Sequence, residues 1–258
     1  MVKFAHLADV HLDAWREEEL KRLNLLAFSK TIDEVIRENV DFVIIAGDLF
    51  HTSMPSLESM RLAARKFKEL VEQSIKVYVV PGSHDYSKDE LSIIDVLDEA
   101  GLCENVAKGK EENEKILLQP TCHNEKVVIY GMMGKKNGLE RELYENLLPI
   151  PLNEDKINIF VMHSAVEGLT SKEFANVPSI PYNLLPKNFD YYASGHIHKY
   201  EEKTFEEKTF VYPGHLYPSN FKELEKSKGK GNYVIVKIDE QTKKVSVEKR
   251  EVLIKEVV

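Results

Sequence analysis

The 258-residue sequence has only two cysteines, Cys103 and Cys122, and they form no Cys-x-x-Cys pair. That argues against a disulfide framework and against a thiolate metal cluster. The plain reading is two reduced structural thiols in a cytosolic protein. Long apolar runs are missing too: nothing approaches the ~18 residues a membrane-spanning helix needs. The N-terminal stretch, Met1-Val2-Lys3-Phe4-Ala5-His6-Leu7-Ala8-Asp9, lacks the long apolar region and small-residue cleavage site of a secretory signal. A cytoplasmic protein without membrane contact is the expectation. Positive charge is not in excess either, with 35 Lys+Arg against 43 Asp+Glu and a net charge of −8. A generally basic surface is thereby excluded, although local basic patches and a nucleic-acid substrate are not. No internal repeat, low-complexity tract or interdomain linker is visible.

What is present is a globular composition, 43% hydrophobic and 30% charged. The length fits one α/β domain, or one domain with a small appendage. Strand-like and helix-like runs alternate over the first ~100 residues. Lys3–Ala8, Phe42–Ala46 and Lys76–Val80 read as strands. Glu17–Asn39 repeats Leu20, Leu23, Leu26, Ile32, Val35 and Ile36 near the helical period. Ser56–Glu72 reads as a helix capped by Ser56, and Ser87–Ala100 as one ended by Gly101. This β-α-β-α-β-α series predicts parallel strands joined by right-handed crossovers, with ligands at their carboxyl edge. After Gly101 the strands Lys115–Leu118, Lys126–Tyr130, Lys156–Met162, Tyr191–Ser194, Thr209–Val211, Tyr233–Asp239 and Val245–Val258 have fewer helices between them. They imply a second, mixed sheet. The expected fold is an α/β sandwich of two sheets packed face to face, with helices outside.

Six of the nine histidines lie in short turns that each follow an apolar run. The turns are Asp9-Val10-His11, Asp48-Leu49-Phe50-His51, Gly82-Ser83-His84-Asp85, His163-Ser164 and Gly195-His196-Ile197-His198. Asp9 and His11, at i and i+2, share one face of a strand. Asp48, after the run Val43–Gly47, reads as a helix N-cap or a ligand. Five convergent strand ends are most economically explained by a site for two divalent ions. Imidazole and carboxylate without thiolate suit Mn²⁺, Fe²⁺ or Zn²⁺ and disfavour Ca²⁺. A bridging carboxylate can hold two ions ~3.5–4 Å apart, where they lower the pKa of a shared water and clamp phosphoryl oxygens. The reaction class is hydrolysis of a phosphoester.

In that order the five blocks resemble the calcineurin-like metallophosphoesterases. The Leu49-Phe50-His51 extension and Gly195–Lys199 point to the SbcD/Mre-type DNA-repair nucleases within them. Tyr212-Pro213-Gly214 and Gly229–Tyr233 extend the resemblance to about residue 240. It implies the two-sheet α/β/β/α fold, a phosphoesterase core over 1–240, and two ions, most simply Mn²⁺, with Mg²⁺ also possible. By position it places one ion on Asp9, His11, Asp48 and His198, and the other on Asp48, Ser83, His163 and His196. It makes His84 the acid at the leaving oxygen, a role suited to an imidazole, oriented by Asp85. It gives His51 a part in positioning phosphate or the DNA end; a surface residue at a helix start is the alternative.

Ser83 departs from the family's asparagine and implies a weaker second site. Family members continue into a DNA-capping domain and a segment that docks on an SMC-like ATPase. Residues 241–258 read as a terminal strand or the start of such a domain, and the ATPase stays an open expectation. Met60, Ala64, Phe67 and Leu70 are either a homodimer seam or core. Trp15 either stacks on a base or packs on the following helix. Lys226, Lys228 and Lys230 either touch phosphates or form a solvated loop. A small-molecule phosphodiesterase or phosphatase, and a catalytically weakened DNA-binding paralogue, are the rival functions.

Overall fold

A computed structural model of the chain describes residues 1–86 and 91–254. The first half runs β1 (Val2–Leu7), α1 (Glu18–Arg37), β2 (Phe42–Ala46), α2 (Leu57–Glu72), β3 (Lys76–Val80), α3 (Ile93–Glu99) and β4 (Glu104–Asn105). A hairpin of β5 (Gly109–Glu112) and β6 (Lys115–Leu118) follows, then β7 (Thr121–Cys122), β8 (Val127–Met132), α4 (Arg141–Glu145), β9 (Ile157–Met162), β10 (Ala165–Val166) and β11 (Ser179–Ile180). The chain closes with β12 (Tyr191–Ser194), β13 (Glu201–Phe205), β14 (Lys208–Tyr212), α5 (Phe221–Ser227), β15 (Gly231–Ile238) and β16 (Val245–Val252).

Among the described residues two six-stranded sheets dominate, in the orders β16-β15-β1-β2-β3-β4 and β13-β14-β12-β9-β8-β7. β1, β2, β3 and β4 are mutually parallel, as are β8, β9, β12 and β14. Alternation within each strand builds the layers. In β2, Val43 and Ile45 face the helices, against Phe28 and Ile32 of α1 and Phe67 and Leu70 of α2. Phe42, Ile44 and Ala46 face the second sheet, against Ile159 and Val161 of β9 and Tyr191 and Ala193 of β12. The far face of the second sheet, with Tyr130, Phe160 and Tyr192, is closed by Tyr144 of α4 and by loop residues such as Leu185 and Phe189. The expected sandwich is present, with a thinner helical layer on this side.

Three assignments change. Lys115–Leu118, expected in the second sheet, is β6 and pairs with β5 in a separate two-stranded sheet. Tyr233–Asp239 was expected in the second sheet; the corresponding β15 instead pairs antiparallel with β1 in the first, and β16 pairs with β15. Its side chains show why: Tyr233 and Ile235 enter the helix-side core, while Val234, Val236 and Ile238 enter the inter-sheet core. The helix expected over Ser87–Ala100 is seen only as α3, where the Asp95 carboxylate accepts from the Ser92 N–H at 2.7 Å and hydroxyl at 2.8 Å. Residues 87–90 of that expectation, and 255–258 of the terminal strand, lie outside the described residues. By contrast α2 starts as expected: the Ser56 hydroxyl accepts from the Ser59 N–H at 3.3 Å.

Phe67 and Leu70 are fully buried, and Met60 and Ala64 pack against the same core, so that stripe is core and not a seam. Trp15 is buried in the core as well. Its indole N–H donates to the Pro218 carbonyl at 2.7 Å and its ring meets Phe221 edge-on, which leaves no face for a nucleobase. No helix of the described residues is long and apolar enough to cross a membrane.

Candidate metal centre

The carboxyl ends of β1, β2, β3, β9 and β12 meet at one edge of the sandwich because both sheets are parallel at their centres. The loops after β1 and β2 run side by side: the Asp9 N–H donates to the Gly47 carbonyl at 3.1 Å, and His11 N–H to the Asp48 carbonyl at 3.0 Å. Asp9, His11, Asp48 and His196 all have left-handed backbone, with φ of 50, 48, 52 and 80°. This strained conformation turns side chains at strand ends back into the edge. Close approach sets the glycines. A Cβ on Gly82 would lie 2.2 Å from Asp48 Oδ1, and one on Gly47 2.2 Å from His163 Nδ1.

Asp48 is the hub. Its Oδ1 accepts the His84 N–H at 2.8 Å. Its Oδ2 lies 3.2 Å from His163 Nε2 and 3.6 Å from His11 Nε2. On the other side of His11, its Nε2 is 3.0 Å from His198 Nε2, and His198 Nε2 is 3.5 Å from Asp9 Oδ1. The His196 ring lies against His163 with centroids 5.2 Å apart, and the backbone N–H of His196 donates to Asp9 Oδ1 at 3.0 Å. Ser83 is buried in the turn after β3.

The tautomers follow from the partners. His163 Nδ1 faces the Ala46 carbonyl at 2.8 Å, and His198 Nδ1 faces the Glu223 carboxylate at 2.9 Å. Both partners only accept, so these nitrogens carry the protons and the Nε2 lone pairs point into the edge. Two features there fit a cation. Asp9 Oδ2 is buried without a hydrogen-bond partner, and His163 Nε2 is buried against the Asp48 carboxylate at 3.2 Å. Lone pairs and carboxylate oxygens converge at 3.0–3.6 Å, close to the ~3.0–3.4 Å between neighbouring ligands that bonds of ~2.1 Å impose. The groups Asp9/His11/His198 and Asp9/Asp48/His163 are each compact enough to hold an ion.

Protein charge alone leaves this edge poised for one. Burial lowers the basicity of His163, but Asp48 and then Asp9 outweigh it and carry its pKa up to about 10. His198 goes up to about 9, burial being outweighed by Asp9 and Glu223. Asp9 rises to about 6 through burial, against the pull of His198. Burial drives His196 down to about 3 and His11 well down. Protons thus sit where divalent cations would compete for the same lone pairs.

His84 projects beside these groups. Its Nδ1–H donates to the His51 carbonyl at 2.8 Å, and its ring stacks on that of His51 with centroids 4.8 Å apart. Asp85, expected to orient His84, does something else. Its carboxylate accepts from the backbone N–H groups of Gly82, Phe50 and Leu49 at 2.9, 2.9 and 3.2 Å. It pins the loop after β3 to the loop after β2, and orientation of His84 falls to the His51 carbonyl. His51 itself lies at the edge of the site, its Nδ1 3.3 Å from that of His11. Sequence reasoning missed Glu223 altogether.

The calcineurin-like phosphoesterase profile matches residues 2–200. The chain belongs to that family. As a calcineurin-like phosphoesterase it is similar to the DNA double-strand break repair protein Mre11 of Archaeoglobus fulgidus, at 31% identity over 76% of this chain and 46% of that protein. It is also similar to the uncharacterized metallophosphoesterase YhaO of Bacillus subtilis, at 27% identity over 76% of this chain and 48% of that protein. The chain therefore spans about half the length of these relatives. A dimetal phosphatase from Danio rerio shares the fold, with a TM-score of 0.56 at 12% identity over 97% of this chain and 98% of that one.

Proposed function

We propose that the chain is a two-metal phosphodiester hydrolase that cuts DNA in end processing and repair, in the manner of the SbcD/Mre nucleases. The carrying observation is the Asp48 carboxylate, whose Oδ2 faces both His163 and His11 at 3.2 and 3.6 Å. A carboxylate so placed can bridge two ions. One is assigned to Asp9, His11, Asp48 and His198, the other to Asp48, Ser83, His163 and His196. Mn²⁺ is the preferred ion. Bound there, the pair would polarise the phosphoryl oxygens and supply a nucleophilic oxygen at neutral pH. With its Nδ1–H held by the His51 carbonyl, His84 has Nε2 left to give a proton to the leaving oxygen. The buried rings of His11 and His163 exclude water on the protein side. Similarity to a protein named for double-strand break repair supports DNA as substrate. Dimerisation and an SMC-like ATPase partner belong to the same reading.

The net charge of −8 favours a second reading, a small-molecule phosphodiesterase on the same site. Purified protein with Mn²⁺ should degrade linear DNA and lose that activity in EDTA. Intact single- and double-stranded DNA beside a hydrolysed bis(nitrophenyl) phosphate would move the assignment to the second reading.

Ser83 offers a hydroxyl, shorter and weaker as a ligand than an amide oxygen. Calorimetric Mn²⁺ titration should therefore show two unequal sites, and Ser83→Asn should tighten the weaker by roughly tenfold or more, at least the worth of an outer-sphere partner. Two equally tight sites in the unsubstituted protein would contradict this account of Ser83.

A further inference from the structure

A pocket lined by Ile150, Leu152, Lys187, Lys208 and Lys243 lies at the opposite end of the second sheet. Two of its lysines already face Asp190, at 3.8 and 3.5 Å. The group around Glu223 carries more. Glu223 belongs to α5, in the crossover from β14 to β15, more than twenty residues after the last histidine of the proposed centre. Asn220 caps α5, its side chain accepting from the Glu223 N–H at 3.0 Å. Both carboxylate oxygens of Glu223 are engaged. Oε2 accepts from the Ser219 N–H at 2.9 Å and from the Ser219 hydroxyl at 3.0 Å, while Oε1 faces His198 Nδ1 at 2.9 Å. His215 Nδ1 lies 3.8 Å from Oε2.

We infer that Glu223 is a positioning residue for metal uptake: it locks His198 in the Nδ1–H tautomer with its Nε2 lone pair turned to the Asp9/His11 side. This rests on the two-metal reading. A carboxylate has no proton to give, so the imidazole must donate to it, and only then is Nε2 free to ligate. His198, His215 and Glu223 are also compact enough for an ion of their own. With an ion on the Asp9/His11 side, that use would need His198 to ligate through both nitrogens at once, with no proton left on the ring.

The isosteric Glu223→Gln makes the test sharp. The Ser219 N–H can only donate, so the glutamine must turn its carbonyl oxygen to Ser219 and its NH₂ to His198. The NH₂ then donates to Nδ1 and forces the proton onto Nε2, the ligating nitrogen. Glu223→Ala removes the lock without imposing the wrong tautomer. Mn²⁺ titration of the purified chain, followed by calorimetry and by the electron paramagnetic resonance of free Mn²⁺, reads each site. The expected result is a ~10–100-fold loss of affinity at one site in Glu223→Gln, a smaller loss in Glu223→Ala, and an unchanged second site. A merely structural residue would give the opposite order, with alanine worse than glutamine and both sites weakened together. Glutamine binding as the unsubstituted chain does, or that reversed order, overturns the inference. If the unsubstituted chain takes up no Mn²⁺, it is the two-metal reading that fails, and the inference with it.

Discussion

Asp48→Asn is expected to abolish phosphodiester hydrolysis, by roughly a thousandfold or more, and to weaken binding of both ions. The magnitude is that of losing several kcal/mol of charge stabilisation, ~4 kcal/mol for three decades of rate. The geometry explains why so small a change has so large an effect. Asp48 Oδ1 holds the His84 N–H at 2.8 Å, and Oδ2 faces the Nε2 atoms of His163 and His11. An asparagine has one acceptor. Its oxygen stays with the His84 N–H, so its NH₂ turns into the two imidazoles, where it repels a cation and takes up the lone pairs that would hold one. Metal content after gel filtration and the rate on a nitrophenyl phosphodiester check the prediction, with circular dichroism confirming the fold. An Asp48→Asn protein that keeps two ions and more than a tenth of the rate would remove Asp48 from the centre of the proposal.

Much of this site is legible in the sequence because each block stands at the end of a run whose type is unambiguous. Val43-Ile44-Ile45-Ala46 can only be a strand buried on both faces, so Asp48 lies at its carboxyl edge. Ile157–Met162 does the same for His163, and the β-α-β series fixes that the first three edges coincide. Three things are not written locally. The left-handed backbone at Asp9, His11, Asp48 and His196 is imposed by loops packed against one another, as the paired hydrogen bonds between residues 9–12 and 47–49 show. The place of β15 depends on a pairing with β1 more than 220 residues away in sequence. Its apolar run Tyr233–Val236 fits the middle of either sheet. Glu223 sits in a seven-residue helix, too short for a periodicity, and its tie to His198 exists only once the β14–β15 crossover has brought α5 back to the edge. Asp85 shows the reverse error. Its place beside His84 in sequence suggested a partnership, but the tight turn aims its carboxylate at backbone N–H groups of two loops.

Removal of the His84 ring should separate proton transfer from metal uptake. His84→Ala is expected to lower turnover by ~10²–10⁴-fold, the usual worth of a general acid, while both ions still bind. The separation is possible because the residue touches the centre in two independent ways. The contact to Asp48 is made by the backbone N–H, which alanine retains. The ring is held elsewhere, by the His51 carbonyl and by stacking on His51, so its loss leaves Asp48 in place. The leaving group provides the decisive comparison. Nitrophenolate departs without a proton, whereas the alkoxide of a DNA sugar needs one. The loss should therefore be near the top of that range on DNA and much smaller on a nitrophenyl diester, at equal Mn²⁺ occupancy. Equal losses on both substrates would mean that His84 stabilises the phosphoryl group itself instead of protonating the leaving oxygen. Full activity on DNA would leave it no part in the chemistry.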